Sequence, residues 1–292
     1  MTSNRIIRSF TLCAIAMLLL AACSIFDDYP HRRQYDVILR VTDSTGQVLP
    51  DSVASVKTLY AFRNGIFYGK YMAEEDGVIR ITYEDRDSMT FVAMTSDQDN
   101  LCEITEPEIG ESIHNVWLQL KTQGDSLASD LSEIFYGNLT TLIYAGGQQE
   151  QKKTINLQDQ RARVRVYVRA LRPNHGSGNY RVVLQGLHSG ITYSGEPGGK
   201  TVNCSLPGKF VTQDDWCTQS ATVLPTGKEP CRLLIYKQDG TLIFDTCEDE
   251  NGKPLLIHPQ DDIIFFVTVD YLIGISVKVL PFEDLDNYYT FG

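Results

Sequence analysis

The sequence is short of basic residues: 26 Lys and Arg stand against 37 Asp and Glu, which gives a formal charge of −11. Binding to nucleic acid needs clustered Lys and Arg to neutralise phosphates, so this balance argues against a nucleic-acid partner. The same balance argues against adsorption to an anionic lipid surface through charge. The partners expected for this protein are therefore not polyanions.

The motifs of several enzyme classes are also missing. The sequence has no G-x-S-x-G nucleophile elbow and neither of the glycine motifs that cradle phosphates, G-x-x-x-x-G-K-[ST] and G-x-G-x-x-G. Its five histidines are scattered singly, whereas metal ligands recur at short spacings. The sequence thus predicts a protein that is not an enzyme and that has no cofactor and no metal site.

Long apolar runs are limited to one, at the N-terminus. Arg5 and Arg8 precede an apolar stretch over residues 11–22 that is too short to span a bilayer, so residues 1–22 are predicted to be a signal peptide. The stretch ends in small residues directly before a cysteine, Leu20-Ala21-Ala22-Cys23. This ending resembles the bacterial lipobox, in which the cysteine thiol receives a diacylglycerol and the signal is cut before it. The alternative is an ordinary cleavage site with an incidental cysteine.

Residues 23–34 then form a lipidated linker. Loss of residues 1–22 removes two Arg and no acid, so the charge changes from −11 to −13. Ser24 stands where an Asp would resemble the inner-membrane retention signal, which favours the outer membrane. The pair Asp27-Asp28 resembles the signal that exports Bacteroidetes lipoproteins to the cell surface, and its alternative is a solvated linker. The predicted location is the outer membrane, lipid-anchored at Cys23 and surface-exposed.

Helical periodicity is nearly absent from the rest of the chain. Apolar and polar residues alternate instead, over residues 35–41, 90–94, 115–120, 163–168 and 275–279, as in half-buried strands. The dipeptides Asn64-Gly65 and Asp239-Gly240 are typical of hairpin turns, which need residues that tolerate positive φ. One helix is predicted over residues 126–136. The fold class is therefore all-β, built from antiparallel sandwiches.

A weak internal repeat predicts how these strands are divided. A shift of 175 residues aligns Gly65 with Gly240, Gly77 with Gly252 and Phe91 with Phe266. The predicted units are an N-terminal β-sandwich over residues 35–150 and a C-terminal β-sandwich over residues 151–292. The polar, glycine-containing stretch 146–153 marks the boundary between them.

One predicted strand carries an unusual basic face. Period-2 alternation places the side chains of four arginines together, opposite apolar neighbours: Arg161, Arg163, Arg165 and Arg169. This face is interpreted either as a half-exposed surface balanced by neighbouring acids or as a contact face for another subunit, made through bidentate ion pairs.

The cysteines leave two alternatives open. Without Cys13 in the signal and the lipidated Cys23, five remain, and an odd number leaves at least one thiol unpaired. Four of the five lie close together in sequence and are candidates for one or two disulfides: Cys204, Cys217, Cys231 and Cys247. The alternative is that they are buried free thiols.

Together these features resemble a known family. The lipobox followed by residues 23–30, the first strand over residues 35–41, and the later segments 181–187 and 234–242 are similar to the FimB-type fimbrial anchor lipoproteins of Bacteroidales. The resemblance implies two tandem transthyretin-like antiparallel β-sandwich domains after a lipoprotein signal peptide. It implies attachment to the outer membrane through the lipid at Cys23, with pilus stalk subunits as partners.

The resemblance also implies assembly by β-strand complementation, in which an extended segment of one subunit completes a sheet of the next. The tail over residues 284–292 is a candidate for such a segment, with an ordinary closing strand as its alternative. Two other functions stay open. One is a surface lipoprotein that binds glycan or host protein through aromatic-bearing loops, at Phe67, Tyr68, Tyr193 and Trp216; the other is a lipid-anchored hydrolase.

Overall fold

A computed structural model describes residues 33–43, 45–50, 56, 58–83, 88–96, 102–123, 126–127, 131–142, 151–272 and 274–284. Three predicted features lie outside these residues: the lipobox with Cys23, most of the boundary stretch before residue 151, and the tail from residue 285 onward. Among the described residues, no helix combines the length and the apolar character that crossing a membrane requires.

Strands dominate the described residues. The first eleven are β1 (Arg33–Val41), β2 (Thr58–Arg63), β3 (Ile66–Met72), β4 (Ile79–Tyr83), β5 (Ser88–Ser96), β6 (Cys102–Ile104), β7 (Val116–Leu120), β8 (Thr122–Gln123), β9 (Ser126–Leu127), β10 (Ile134–Leu142) and β11 (Gln151–Asp159). Ten more follow: β12 (Ala162–Arg169), β13 (Tyr180–Thr192), β14 (Pro197–Leu206), β15 (Gly208–Phe210), β16 (Trp216–Thr218), β17 (Ala221–Val223), β18 (Arg232–Lys237), β19 (Leu242–Thr246), β20 (Asp262–Asp270) and β21 (Gly274–Pro281). A short helix, α1 (Leu171–His175), follows β12, and a 3₁₀ turn, Phe282–Asp284, follows β21. The prediction of an all-β protein is confirmed.

The N-terminal half is one seven-stranded sheet that doubles back on itself, in the order β3-β2-β5-β10-β11-β1-β4. The bend lies in β11, which runs parallel to β1 up to Leu157 and then pairs with β10 at Gln158 and Asp159. Side chains from both sections meet in one core, with Val37 and Ile79 on one side and Leu59 and Phe91 on the other. The alternation along each strand supplies these inward residues.

The C-terminal half is a sandwich of two sheets. One has the order β15-β16-β12-β20-β21, with β17 also on β12, and β12 and β20 run parallel. The other has the order β19-β18-β13-β14-β9-β8, with β7 and β6 attached beyond β13. Val164 and Val267 of the first sheet and Leu184 and Leu233 of the second belong to the same buried cluster. This inter-sheet packing is the principal core of the protein.

Strand pairing crosses the predicted division at residue 150 in both directions. β11, which follows residue 150, belongs to the N-terminal sheet, and β7, which precedes it, hydrogen-bonds to β13 with Ile191 opposite Leu118. The outer face of the N-terminal sheet also packs on the second half, where the Phe62 and Tyr193 ring centroids are 5.4 Å apart. The division at residue 150 therefore stays a prediction about chain organisation.

The helix predicted over residues 126–136 is wrong for the residues that the structure describes. Ser126–Leu127 is strand β9, and β10 begins at Ile134. Both faces of β10 are covered at its start, so Ile134, Phe135 and Tyr136 are all buried. Consecutive apolar residues in such a two-sided strand give the same i, i+3, i+4 spacing as the face of a helix.

The hairpin turns agree with the prediction. Asn64 and Gly65 close the β2–β3 hairpin with φ angles of 51° and 79°, and Gly240, with a φ of 88°, closes the β18–β19 hairpin.

The internal repeat does not extend to the pairing of strands. β5, which carries Phe91, hydrogen-bonds to the hairpin strand β2, whereas β20, which carries Phe266, lies in the sheet opposite β18.

Candidate functional site

The predicted basic face lies on β12, an interior strand of its sheet. Ala162, Val164, Val166 and Val168 point into the core and are almost fully buried. The arginines at residues 163, 165 and 169 therefore lie on the outer face, with Arg161 just before the strand. Hydrogen bonds of the parallel pair β12–β20 and of the antiparallel pairs with β16 and β17 hold this strand in place.

Arg161 is tied to its own chain. Its Nε and Nη2 donate hydrogen bonds to the Asp159 carboxylate at 2.9 and 2.6 Å, and its Nη1 donates to the Leu131 carbonyl at 2.8 Å. Asp159 ends β11 and Leu131 lies before β10, so Arg161 joins the N-terminal sheet to the start of β12. Its role at this position is structural.

Arg163 and Arg165 also find partners within the protein. Arg163 makes a bidentate ion pair with Asp262 on the adjacent strand β20, and this hydrogen-bonded carboxylate raises the pKa of the Arg163 guanidinium. Both guanidinium groups lie over the ring of Phe282, at 4.7 Å for Arg163 and 4.3 Å for Arg165. The outer face of β12 is thus largely occupied by the chain's own acids and by Phe282.

Arg169 differs from the other three arginines. It is exposed at the end of β12, and the described residues give it no ion pair and no hydrogen bond from its side chain. Arg161 and Arg163 are held in internal ion pairs and Arg165 is half-buried against the Phe282 ring, so Arg169 is the arginine of the predicted contact face that an acidic partner reaches most directly.

Replacement of Arg161 by Ala is expected to lower the free energy of unfolding by about 1–3 kcal/mol, because the Asp159 carboxylate and the Leu131 carbonyl then lose their shared donor. Urea unfolding measures this change. Arg169→Ala is the matched control and should alter the free energy of unfolding by less than about 0.5 kcal/mol. Equal effects of the two replacements would contradict the structural role of Arg161.

The four cysteines proposed for disulfides carry free thiols in the structure. Cys204, Cys217 and Cys231 are buried, and Cys247 is exposed. Burial raises the pKa of Cys204 and of Cys217 to about 11, and that of Cys231 to about 12. Cys204, Cys217 and Cys231 therefore match the alternative of buried free thiols, whereas Cys247 is an exposed free thiol.

The aromatic platform predicted for a glycan-binding function is not on the surface. Phe67, Tyr193 and Trp216 are almost fully buried, and only Tyr68, 44% exposed, projects outward. The Tyr193 hydroxyl donates a hydrogen bond to the Thr105 carbonyl at 2.7 Å, which gives its polar end a partner inside the protein. Three of the four rings therefore serve packing.

A polar cleft of about 390 Å³ lies where the two halves meet. Three of its carboxylates already have partners within the protein. Asp159 pairs with Arg161, Asp262 pairs with Arg163, and Asp43 accepts a hydrogen bond from the Thr45 hydroxyl at 2.7 Å. In the part of the chain that the structure describes, no three His, Cys, Asp or Glu side chains are grouped in a way that would hold a metal ion. The cleft is best described as a junction between the halves.

The sequence did not single out Tyr271 and Leu272, which form the turn between β20 and β21. Each is 90% exposed, the highest value for a large apolar side chain among the described residues. The available signal was the stretch Tyr271-Leu272-Ile273, because hairpin turns normally carry polar residues and glycine. Alternation alone could not distinguish this turn from a longer strand.

Comparison with known proteins gives a family. A model of the fimbrillin-A associated anchor proteins Mfa1 and Mfa2 matches residues 32–283. The fimbrial anchor protein Mfa2 from Porphyromonas gingivalis has a similar structure, with a TM-score of 0.60 and 19% identity over 85% of this chain and 96% of that one.

Two further solved structures have related folds. A candidate adhesin from Bacteroides ovatus gives a TM-score of 0.56 at 10% identity, over 85% of this chain and 93% of its own. A candidate polysaccharide-binding protein from Bacteroides thetaiotaomicron gives a TM-score of 0.55 at 15% identity, over 85% of this chain and 98% of its own. At these identities the likeness shows the fold alone. No curated protein sequence matches the chain.

Proposed function

Because the chain belongs to the family of fimbrillin-A associated anchor proteins Mfa1 and Mfa2, we propose that it anchors a fimbria to the outer membrane and starts the assembly of the stalk. The family is one of fimbrial structural proteins, and its members occupy the cell surface or envelope. The observation that carries the proposal is the family match over residues 32–283 directly after the lipobox that ends at Cys23.

The mechanical link in this proposal is the lipid on Cys23. Burial of each CH₂ of an acyl chain contributes about 0.8 kcal/mol, so several chains together hold a protein in a membrane essentially permanently. The charge of −13 without the signal peptide gives no electrostatic attraction to anionic lipid, so attachment depends on the acyl chains. Cys23 lies ten residues before the start of β1, which leaves a short tether between membrane and fold.

The partner in this proposal is a stalk subunit, joined by β-strand complementation. Sheets with open edges offer unpaired backbone amides to a strand from another chain. In the strand orders of the described residues, β3 and β4 end the N-terminal sheet, and β21 and β19 each end a sheet of the C-terminal half. These edges support the proposal, and the candidate tail over residues 284–292 begins at the end of the 3₁₀ turn that follows β21.

The alternative function, binding of glycan or host protein by a surface lipoprotein, has less support from the side chains. It needs flat apolar faces at the surface for sugars to stack on, and Phe67, Tyr193 and Trp216 are buried. The fimbrial anchor is therefore the function that we retain.

Replacement of Cys23 by Ala in the native cell tests the proposal. Without the acyl chains the anchor loses its hold on the membrane, so we expect the fimbriae in the medium, together with this protein. Immunoblots of cells and of medium measure the distribution. Cys13→Ala, a cysteine-to-alanine change within the predicted signal peptide, is the matched control and should leave the fimbriae on the cells. Fimbriae that stay on the Cys23→Ala cells would overturn the proposal.

A further inference from the structure

We propose that the turn of the β20–β21 hairpin, with Tyr271 and Leu272 at its tip, docks in an apolar pocket of the stalk subunit that follows the anchor; this inference rests on the proposed function. Both side chains are 90% exposed. Water-exposed large apolar side chains placed side by side at a turn are unusual in a protein surface and typical of protein contacts.

Hydrogen bonds hold the described residues of the hairpin turn. Asp270 pairs with Gly274 to close the hairpin, and the Asp270 carboxylate accepts a hydrogen bond from the Leu272 backbone N–H at 2.7 Å. Next to the turn, the Asn174 side chain donates to the Val269 carbonyl at 3.2 Å and to the Ala170 carbonyl at 2.8 Å. Strand β20 is thereby fixed to helix α1. Residues that are ordered before binding lose little conformational entropy when they bind, which favours a specific contact through Leu272.

The strand directions place this tip far from the membrane tether. β1 runs from Arg33 toward the junction of the two halves, where Thr42 donates its backbone N–H to the Leu157 carbonyl. β20 runs away from the same junction, parallel to β12, and ends at the tip. Each of these nine-residue strands spans about 30 Å. β1 therefore enters the junction and β20 leaves it, so that Arg33 and the tip lie at the far ends of two strand sets that meet at the junction.

Two other exposed apolar residues lie at the same end of the fold as the tip. The loop at Val211, 43% exposed, is next to it, because Asp215 of that loop accepts a hydrogen bond from the Ala170 backbone N–H at 2.8 Å. Leu242, 47% exposed, follows the β18–β19 turn, which lies at this same end because Lys237 pairs with Tyr180. Val211 and Leu242 are thus two further exposed apolar residues at the end of the fold that carries the hairpin tip.

The position of the hairpin tip relative to the membrane tether indicates which partner binds it. Cys23 is ten residues from Arg33, and an extended tether of that length reaches at most about 35 Å. A protein attached at that end presents its opposite end to whatever is assembled outward. The occupant is then the next fimbrial subunit, through a pocket that accepts one aromatic and one aliphatic side chain. Insertion into a lipid surface is the competing outcome of the test.

The test uses the full-length protein in the native cell, with Tyr271 and Leu272 both changed to Ser. Because both side chains are exposed, the variant should fold and reach the membrane at the wild-type level, as checked by immunoblot and by the thermal midpoint of the purified protein. Loss of two buried anchors is worth a factor of ten or more in affinity, so we expect at least a tenfold fall in fimbriae retained by the cells and co-purified with the detergent-extracted anchor. Ile109→Ser, at an apolar residue that is 74% exposed in the loop packed on β3, is the matched control and should retain wild-type fimbriae.

The outcomes separate the two proposals. If Cys23→Ala releases fimbriae but the Tyr271→Ser, Leu272→Ser variant retains them, the hairpin contact is wrong and the anchor function stands. If Cys23→Ala leaves the fimbriae in place, the anchor function itself fails, and the hairpin proposal fails with it. The lipid alternative is tested by flotation of the unlipidated chain with phosphatidylcholine vesicles. If the chain floats with the vesicles and the Tyr271→Ser, Leu272→Ser variant does not, the hairpin binds lipid and not a fimbrial subunit, and the inference is overturned.

Discussion

A rise in pH from 9 to 11 is expected to lower the free energy of unfolding by on the order of 4 kcal/mol per pH unit, because three buried thiols must stay protonated in the folded protein. These thiols are Cys204, Cys217 and Cys231, and each is at most 6% exposed. Burial raises the pKa of the first two to about 11 and of the third to about 12, from an ordinary value of 9.0.

The sign of the effect follows from these values. The folded-state pKa lies above the unfolded-state pKa, so the unfolded chain releases its thiol protons first as the pH rises. The stability that the protonated thiols contribute is complete below pH 9 and is lost between pH 9 and about 11 to 12. Above pH 10 two buried tyrosines act in the same direction, because desolvation raises the pKa of Tyr60 and of Tyr136 to about 12.

Urea unfolding at a series of pH values under reducing conditions measures this loss. Cys231→Ala should make the slope between pH 9 and 10 about one third shallower, since it removes one of three thiols. Cys247→Ala, at an exposed thiol, is the matched control and should leave the slope unchanged. A flat profile between pH 9 and 10 in protein that has not been reduced would mean instead that the buried cysteines are paired as disulfides.

Gly195→Ala is expected to lower the free energy of unfolding by about 2–4 kcal/mol, through strain at a positive φ and through overpacking at the contact between the two halves. Gly195 has a φ of +82°, and a Cβ on it would lie 2.8 Å from Cζ of Tyr136. That ring cannot move away cheaply. Its hydroxyl donates to the Tyr193 carbonyl at 3.0 Å and accepts from the Asn138 amide at 2.9 Å.

The matched control for this prediction is Gly240→Ala. Gly240 has a similar φ of +88°, but a Cβ there would meet no atom within 4 Å. It should lower the free energy of unfolding by only about 1 kcal/mol, the cost of the left-handed conformation. Thermal and urea unfolding of both variants give the comparison. Equal losses in the two variants would show that the Tyr136 contact adds nothing to stability.

The predicted features that rest on local chemistry agree with the structure. Asn64-Gly65 and Asp239-Gly240 close hairpins, because few other residues adopt positive φ at little cost. β12 alternates between buried valines and outward arginines, because successive side chains of a strand point to opposite faces. The signal peptide and the lipid on Cys23 are local motifs as well, and they stay predictions that the Cys23→Ala experiment tests.

The wrong or undecided features depend on what a strand packs against. The start of β10, residues 134–136, falls in the helix predicted over residues 126–136, because the sequence does not reveal that the outer face of this segment is covered by the second half of the chain, through Tyr136 and Tyr193. The same contact removes Tyr193 from the surface, and packing inside the C-terminal sandwich removes Trp216. Whether Arg163 is a contact residue was equally undecided, because Asp262 lies 99 residues later in sequence.

By itself, the sequence determined the class of the protein: strands with period-2 alternation, turns that need glycine, and an acidic surface, all of which act between residues close together along the chain. Tertiary structure alone decided which edges pair across residue 150, which arginines are neutralised, and which apolar residues stay in water. Those outcomes depend on contacts between residues far apart in sequence, and a local pattern carries no information about them. Tyr271 and Leu272 show the difference, since only the folded hairpin reveals that they are 90% exposed.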